Sequence, residues 1–230
     1  VSKETKHVAG LPLSQGGSGD PSVMTGLGVY QGMRACARQT WGSDSLSGRT
    51  IALQGFGHVA SYLAEYLLKD GAQLIVTDIN KEALDRAQRL EGVTVVSPEN
   101  IYDTPCDIFS PNALGGILNK DTIPLLKCEV ICGGANNQLL GEQDAKRIEA
   151  RGILYAPDYV VNAGGIINIS VEMQGSYDPE RAREKTLHIY DTLEEVIVVA
   201  RQSGITTAEA ADHIAEKRLC GVRKTIQPSS

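Results

Sequence analysis

The stretch 50–78, TIALQGFGHVASYLAEYLLKDGAQLIVTD, limits what this chain can fold into more than any other. Residues 50–54 read as a buried strand, and GFGHVA follows as a tight turn. The apolar spacing over 59–69 predicts a helix, and 73–77 reads as a second buried strand. Gly55 and Gly57 hold the first two positions of a G-x-G-x-x-G/A pattern, with Ala60 at the third. Gly55 permits the sharp turn, and Gly57 lets the backbone approach a diphosphate with no side chain between. Ala60 is small enough for the helix to lie close on the strand. The diphosphate belongs at the N-terminus of that helix, where free N–H groups and the helix dipole favour an anion. Asp78 lies 23 residues beyond Gly55, at the end of the second strand, where an acid accepts hydrogen bonds from ribose hydroxyls. Many glycine turns bind nothing. Strand, turn, helix, strand and acid in register indicate a dinucleotide.

Downstream, the pattern keeps alternating. Helix is expected over 81–90, strands over 93–96 and 107–110, and a helical turn over 122–126. A strand at 129–132 runs into GGANNQ, followed by a helix over 142–151 and a short strand at 153–156. This alternation predicts an α/β, Rossmann-like doubly wound and mostly parallel sheet with extra C-terminal helices. Upstream, SQGGSGDP reads as a loop in which Ser18, Gly19 and Asp20 form a turn and helix cap. A lead-in helix over 22–39 follows, with Val23, Leu27, Tyr30, Met33 and Ala37 spaced for one-sided burial. From Asn162 the chain reads as helical, with a helix opening at NAGG and amphipathic helices over 181–203 and 207–222. Residues 22–162 are thus the expected Rossmann core of a single dinucleotide-binding domain over 1–230, with 1–21 and 163–230 as lead-in and C-terminal helical parts. Ligands of such sheets lie at the carboxyl ends of the strands. Here those ends carry GFG, Asp78, and the loops 111–116, 133–138 and 158–162.

A net charge of −6 and a pI near 5.3 argue against a nucleic-acid partner. No apolar run is long enough to span a bilayer, and no secretory signal is visible. Five cysteines without a C-x-x-C, and four histidines without ligand spacing, point to reduced thiols in a cytoplasmic protein and to no metal.

GDPSVMTGLGVYQGM, LQGFGHVA, VTDIN, CDIFSPNALGGILN, GGANNQL and APDYVVNAGGIIN occur in the order seen in the glutamate/leucine/phenylalanine/valine dehydrogenases. The chain resembles the leucine–valine–phenylalanine branch of that family over nearly its whole length. The resemblance implies NAD-dependent, reversible oxidative deamination of a branched-chain or aromatic L-amino acid to a 2-oxo acid and ammonia. It also implies that Gly55, Phe56, Gly57, His58, Val59, Ala60 and Ser61 form the diphosphate turn, with Asp78 and Ile79 at the adenosine ribose. Thr25 would reach the nicotinamide carboxamide, and Asn112 and Ala113 would lie along the adenosine side. Ala135, Asn136 and Asn137 would sit near the nicotinamide ribose. Asn136 and Asn162 would also touch substrate, together with helix positions around 186–193. For Asn162 the plain alternative is a helix cap, for Thr25 a helix surface, and for Asp158 and Tyr159 loop structure.

The family's catalytic lysines and aspartate belong to an N-terminal substrate domain, and no glycine-rich lysine segment matching them occurs here. The chain is therefore expected to be the cofactor-binding half, with no catalytic residue of its own, binding NAD without turnover. The family also implies a homo-oligomer for the full-length protein. The alternative is a free-standing, non-catalytic NAD-binding or sensing module. His58 departs from the asparagine common in such turns, Asn112 from a frequent cysteine, and Val23-Met24 from a proline-containing pair. An acid at the ribose repels a 2′-phosphate, so Asp78 favours NAD over NADP, with Lys81 on a solvated first helical turn.

Overall fold

The computed structural model describes residues 8–226. A 3-10 turn at Leu13–Gln15 leads into α1 (Ser22–Trp41), β1 (Thr50–Gln54), α2 (His58–Lys69), β2 (Gln73–Thr77), α3 (Lys81–Ala87) and β3 (Val93–Val95). Then come β4 (Ile108–Pro111), a 3-10 turn at Ile123–Leu125, β5 (Val130–Ile131), α4 (Glu142–Ala150) and β6 (Leu154–Tyr155). Five helices complete the described chain: α5 (Asp158–Val161), α6 (Gly164–Met173), α7 (Pro179–Leu187), α8 (Ile189–Ser203) and α9 (Thr207–Ile226). The six strands form one sheet in the order β3-β2-β1-β4-β5-β6, and every pairing is parallel. The winding reverses between β1 and β4, so the loops leaving those two strands diverge and open a crevice.

The two-residue period of the strands builds a core on each face of the sheet. Ile51, Leu53, Leu74, Val76, Ile108 and Val130 pack with α1, α2, α3, α8 and α9. Ala52, Phe109 and Ile131 point the other way, onto Ile101, Leu118, Ile123, Leu126 and, from α4, Ile148. Strands covered on both faces must be apolar throughout, which is why β1 and β2 stand out in the sequence with no polar face.

Several boundaries differ from expectation. The lead-in helix is not buried on one side. Gly26, Gly28, Val29, Gln31, Gly32, Ala35 and Cys36 are buried as well, because α1 is wedged among α2, α6 and α8. The expected helix over 181–203 is two helices meeting at His188, whose ψ of −4° departs from helical geometry. The first of them starts earlier, at Pro179, because Asp178 accepts the N–H groups of Glu180 and Arg181 as a cap. The helix expected to open at Asn162 begins at Gly164, after the single turn of α5. α3 ends at Ala87 instead of Leu90, and β5 and β6 are two residues long where four were expected. Helix α2 begins at His58 and β4 reaches Pro111, a shift of one residue in each case.

Candidate functional site

The carboxyl ends of the strands carry the residues selected from the sequence, and contacts between loops join them into one rim. Gly55 turns at φ +98°, and a Cβ built there would lie 2.8 Å from the Ala113 Cβ, so the loops after β1 and β4 touch at these two residues. Gly57 contrasts with it. Its backbone is extended (φ −76°, ψ −165°), and a Cβ there would meet nothing within 4 Å. Gly57 faces open space at the start of a 12-residue helix whose N-terminus no side chain caps. Val59 and Ala60 pack inward, and Ser61 returns its hydroxyl to the Gly57 carbonyl at 2.9 Å.

Asp78 holds this turn. One carboxylate oxygen accepts the Phe56 N–H at 2.6 Å, and the other accepts the Asn80 N–H at 2.8 Å. The Phe56 side chain is buried, so the turn is fixed from below by packing and from the side by the acid. Each oxygen keeps a second lone pair for a ligand hydroxyl. Beside it, Ile79 is 94% exposed, and Lys81 sits exposed on the first turn of α3.

Asn112 ties three strand ends together. Its backbone N–H donates to Gln54 O at 2.7 Å, its amide nitrogen to Ser110, and its amide oxygen accepts the Gly134 N–H at 2.9 Å. A Cβ on Gly134 would be 2.9 Å from Val59 Cγ1, so the loop after β5 lies against the start of α2. Ala135 is buried, and Asn136 and Asn137 are exposed on the rim. Asn137 is the non-glycine residue with positive φ (53°) among those described, a conformation asparagine tolerates. It is kept there by Asp158, whose carboxylate accepts the Asn137 N–H and the Tyr155 hydroxyl, each at 2.8 Å. Burial, together with this carboxylate, pushes the Tyr155 hydroxyl far above the usual tyrosine range, so it stays a donor.

Asn162 closes α5 through its backbone N–H to Asp158 O at 2.8 Å, but the residue before α6 is Ala163, and the Asn162 side chain caps no helix. Its amide nitrogen donates to Asn136 Oδ1 at 2.7 Å, which joins the two residues expected at the substrate. Thr25 donates its hydroxyl to Pro21 O at 3.0 Å, and Gly165 lies so close that a Cβ there would be 2.8 Å from Thr25 Oγ1. Thr25 is thus set beside the start of α6, not on open helix surface. Asp20 accepts the Ser22 N–H, as the expected turn requires, and also lies 3.3 Å from the exposed His58 ring.

Two supporting residues carry no sequence signal. Asp158 looks like a turn residue after a proline, yet it is 7% exposed and positions the Asn137 loop. Gln138 is fully buried and donates to the Gly133 and Ala135 carbonyls. The loop pattern N-N-Q does not reveal that one of three amides points inward. A cavity of about 660 Å³ touches the rim at Asn136, Asn137, Asp158 and Tyr159 and otherwise runs between α4 and α9. The glycine turn does not line it, and the geometry above, not that cavity, defines the site. Among the described residues no group of three or more His, Cys, Asp or Glu could hold a metal ion, and no helix is long and apolar enough to cross a membrane.

The model of the glutamate/leucine/phenylalanine/valine dehydrogenase family matches residues 16–81 and 76–225. The chain belongs to that family. Leucine dehydrogenase of Thermoactinomyces intermedius is 50% identical over 225 residues, covering 98% of this chain and 61% of that protein. An L-tryptophan dehydrogenase of Nostoc punctiforme is 44% identical over 226 residues, with 98% and 63% covered. The crystal structure of an L-tryptophan dehydrogenase from Nostoc punctiforme matches with a TM-score of 0.85 at 45% identity, over 90% of this chain and 63% of that one. A hetero-hexameric glutamate dehydrogenase from Thermus thermophilus shares the fold at a TM-score of 0.77 and 21% identity, covering 97% of this chain and 58% of that one. The chain spans about three fifths of the length of the curated family members it matches.

Proposed function

We propose that this chain is the NAD-binding part of an L-amino acid dehydrogenase that interconverts a branched-chain or aromatic L-amino acid with its 2-oxo acid and ammonia. The observation that carries the reading is the pairing of an uncapped α2 N-terminus, faced by open space at Gly57, with Asp78 at the next strand end. An anionic diphosphate placed there meets free N–H groups and the positive end of the helix dipole. Asp78 has acceptor capacity left for the ribose hydroxyls, its charge opposes a 2′-phosphate, and exposed Ile79 offers an apolar face to the adenine.

Thr25, Ala135, Asn136, Asn137 and Asn162 line the other half of the rim, where the nicotinamide end and the amino acid would lie. When bound, NAD supplies the acceptor for a hydride from the substrate carbon. The residues here orient the two partners and do not move protons. Proton transfer is assigned to the part of these dehydrogenases outside the matched region, as is most of the pocket that selects the amino acid. The domain assignment follows the same reading, with 22–162 as cofactor core and the later helices as its support. We place the protein in the cytoplasm, as a homo-oligomer when complete.

Gly57→Val tests the site without disturbing the fold. The extended backbone at 57 accepts any side chain, and the added atoms enter the space meant for the diphosphate. Expected is a melting temperature within about 2 °C of the parent and NAD affinity lower by at least about thirtyfold, or ~2 kcal/mol. Unchanged affinity would place the dinucleotide elsewhere.

A further inference from the structure

Four of the five cysteines come in two neighbouring pairs, brought together by the fold from distant parts of the chain. Cys36 and Cys132 both lie in the first core at 0% exposure, where the Cys132 thiol donates to Val29 O at 3.7 Å. No reagent reaches them. Cys106 and Cys128 lie at the amino ends of β4 and β5, and both are partly exposed. The pairing Ile108↔Val130 continues backward through a parallel bridge between Pro105 and Lys127, and the Cys106 N–H donates to Lys127 O at 3.1 Å. The two cysteines are therefore opposite one another in register. Neighbouring strands run about 4.8 Å apart, inside the roughly 4.4–6.8 Å between Cα atoms that a disulfide accepts. Both side chains pack on the rim of the second core. The neighbouring Cys128 thiol is the largest influence raising the Cys106 pKa, with burial second.

We propose that Cys106 and Cys128 form a redox-active dithiol, a thiol–disulfide exchange site for small disulfides at the amino ends of β4 and β5, opposite the strand-end cleft. One thiol of the pair, deprotonated, attacks a sulfur of a small disulfide such as oxidised glutathione. That disulfide releases one thiol, and the other half stays on the protein as a mixed disulfide. The second cysteine attacks the protein sulfur of that bond and expels the second small thiol. The chain loses two electrons and two protons, and the small disulfide gains them as two thiols. Reduction by excess small thiol runs the same steps backward. The Cys128 thiol and burial together raise the Cys106 pKa, so Cys106 stays protonated at neutral pH. The product closes a loop over 106–128 and clamps β4 to β5. It leaves the carboxyl ends of both strands free, and the inference does not depend on the cofactor reading.

The test incubates the 230-residue chain with oxidised glutathione at pH 8.5, alkylates the remaining thiols, and digests with trypsin. The expected product joins peptide 90–120, which holds Cys106, to peptide 128–146, which holds Cys128 and Cys132. Cys132→Ser retains the cross-link, whereas Cys128→Ser and Cys106→Ser each abolish it, and reduced glutathione reverses it. A stable mixed disulfide with no cross-link, a cross-link lost in Cys132→Ser, or five alkylated cysteines throughout would overturn the proposal.

Discussion

Gly55 and Gly57 look interchangeable in the motif, yet they serve opposite physical needs. Gly55 is constrained by its surroundings. Its φ of +98° is one that L side chains avoid, and the Ala113 backbone nitrogen would stand 2.9 Å from any Cβ. Gly55→Ala therefore strains the backbone and pushes apart the loops after β1 and β4. The expected cost is about 2–3 kcal/mol of stability, measured by denaturant unfolding, with cofactor binding lost in proportion to the displaced loop. A change below ~0.5 kcal/mol would mean the loops move freely. A Cβ at Gly57 would meet nothing within 4 Å, so packing places no constraint on this position. Its replacement is expected to be silent in stability and severe in affinity, so the two variants separate folding from binding at positions two residues apart.

At the scale of elements, one carboxylate of α6 gathers most of the hydrogen bonds to the segment before α1, beside the Asn168 amide that donates to Ser18 O at 3.2 Å. Glu172 accepts the N–H groups of Gly10, Leu11 and Ser18, and the Ser18 hydroxyl. Partial burial would raise its pKa, but these four donors outweigh it and hold the group below the ordinary glutamate value of 4.5. A depressed folded pKa means that the contact stabilises fully above about pH 4.5 and fades as pH falls through the folded value. Amide resonances of Gly10, Leu11 and Ser18 should thus shift together below pH 4.5, and Glu172→Gln should remove that common titration. Independent shifts, or a midpoint at or above 4.5, would contradict the assignment.

None of this was legible in the sequence, where Glu172 is one more acid on a helix. β1 and β2 were legible to the residue, because a strand covered on both faces leaves an unbroken apolar run. β5 and β6 were placed correctly but made one residue too long at each end, although the Cys132 N–H still reaches Phe109 O and the Ala156 N–H reaches Ile131 O. The break at His188 was missed because both halves share one amphipathic period, and a change of ψ at a single residue has no signature. The stripe Val23, Leu27, Tyr30, Met33 and Ala37 predicted burial of α1 on one side and gave its glycines no role. Gly28 and Gly32 instead let Val161 approach on a second side, where a Cβ would come within 2.7 Å of the Val161 carbonyl and 2.5 Å of its Cγ1. The rim residues were found from motif order. The side chains that hold the rim, Asp158 and Gln138, were not, because burial of a polar group depends on partners distant in sequence.

For the whole molecule, the parallel sheet with reversed winding places five loops around one cleft, and the later helices brace α1 and the first core behind it. Family membership accounts for this architecture, and the cofactor reading gives the cleft its purpose. The most direct test is calorimetric titration of the 230-residue chain with NAD and, separately, with NADP. The account predicts saturable one-to-one binding of NAD, at least about tenfold tighter than NADP because Asp78 opposes the extra phosphate. NADP binding as tight as NAD or tighter, or no binding of either dinucleotide by the folded chain, would contradict it.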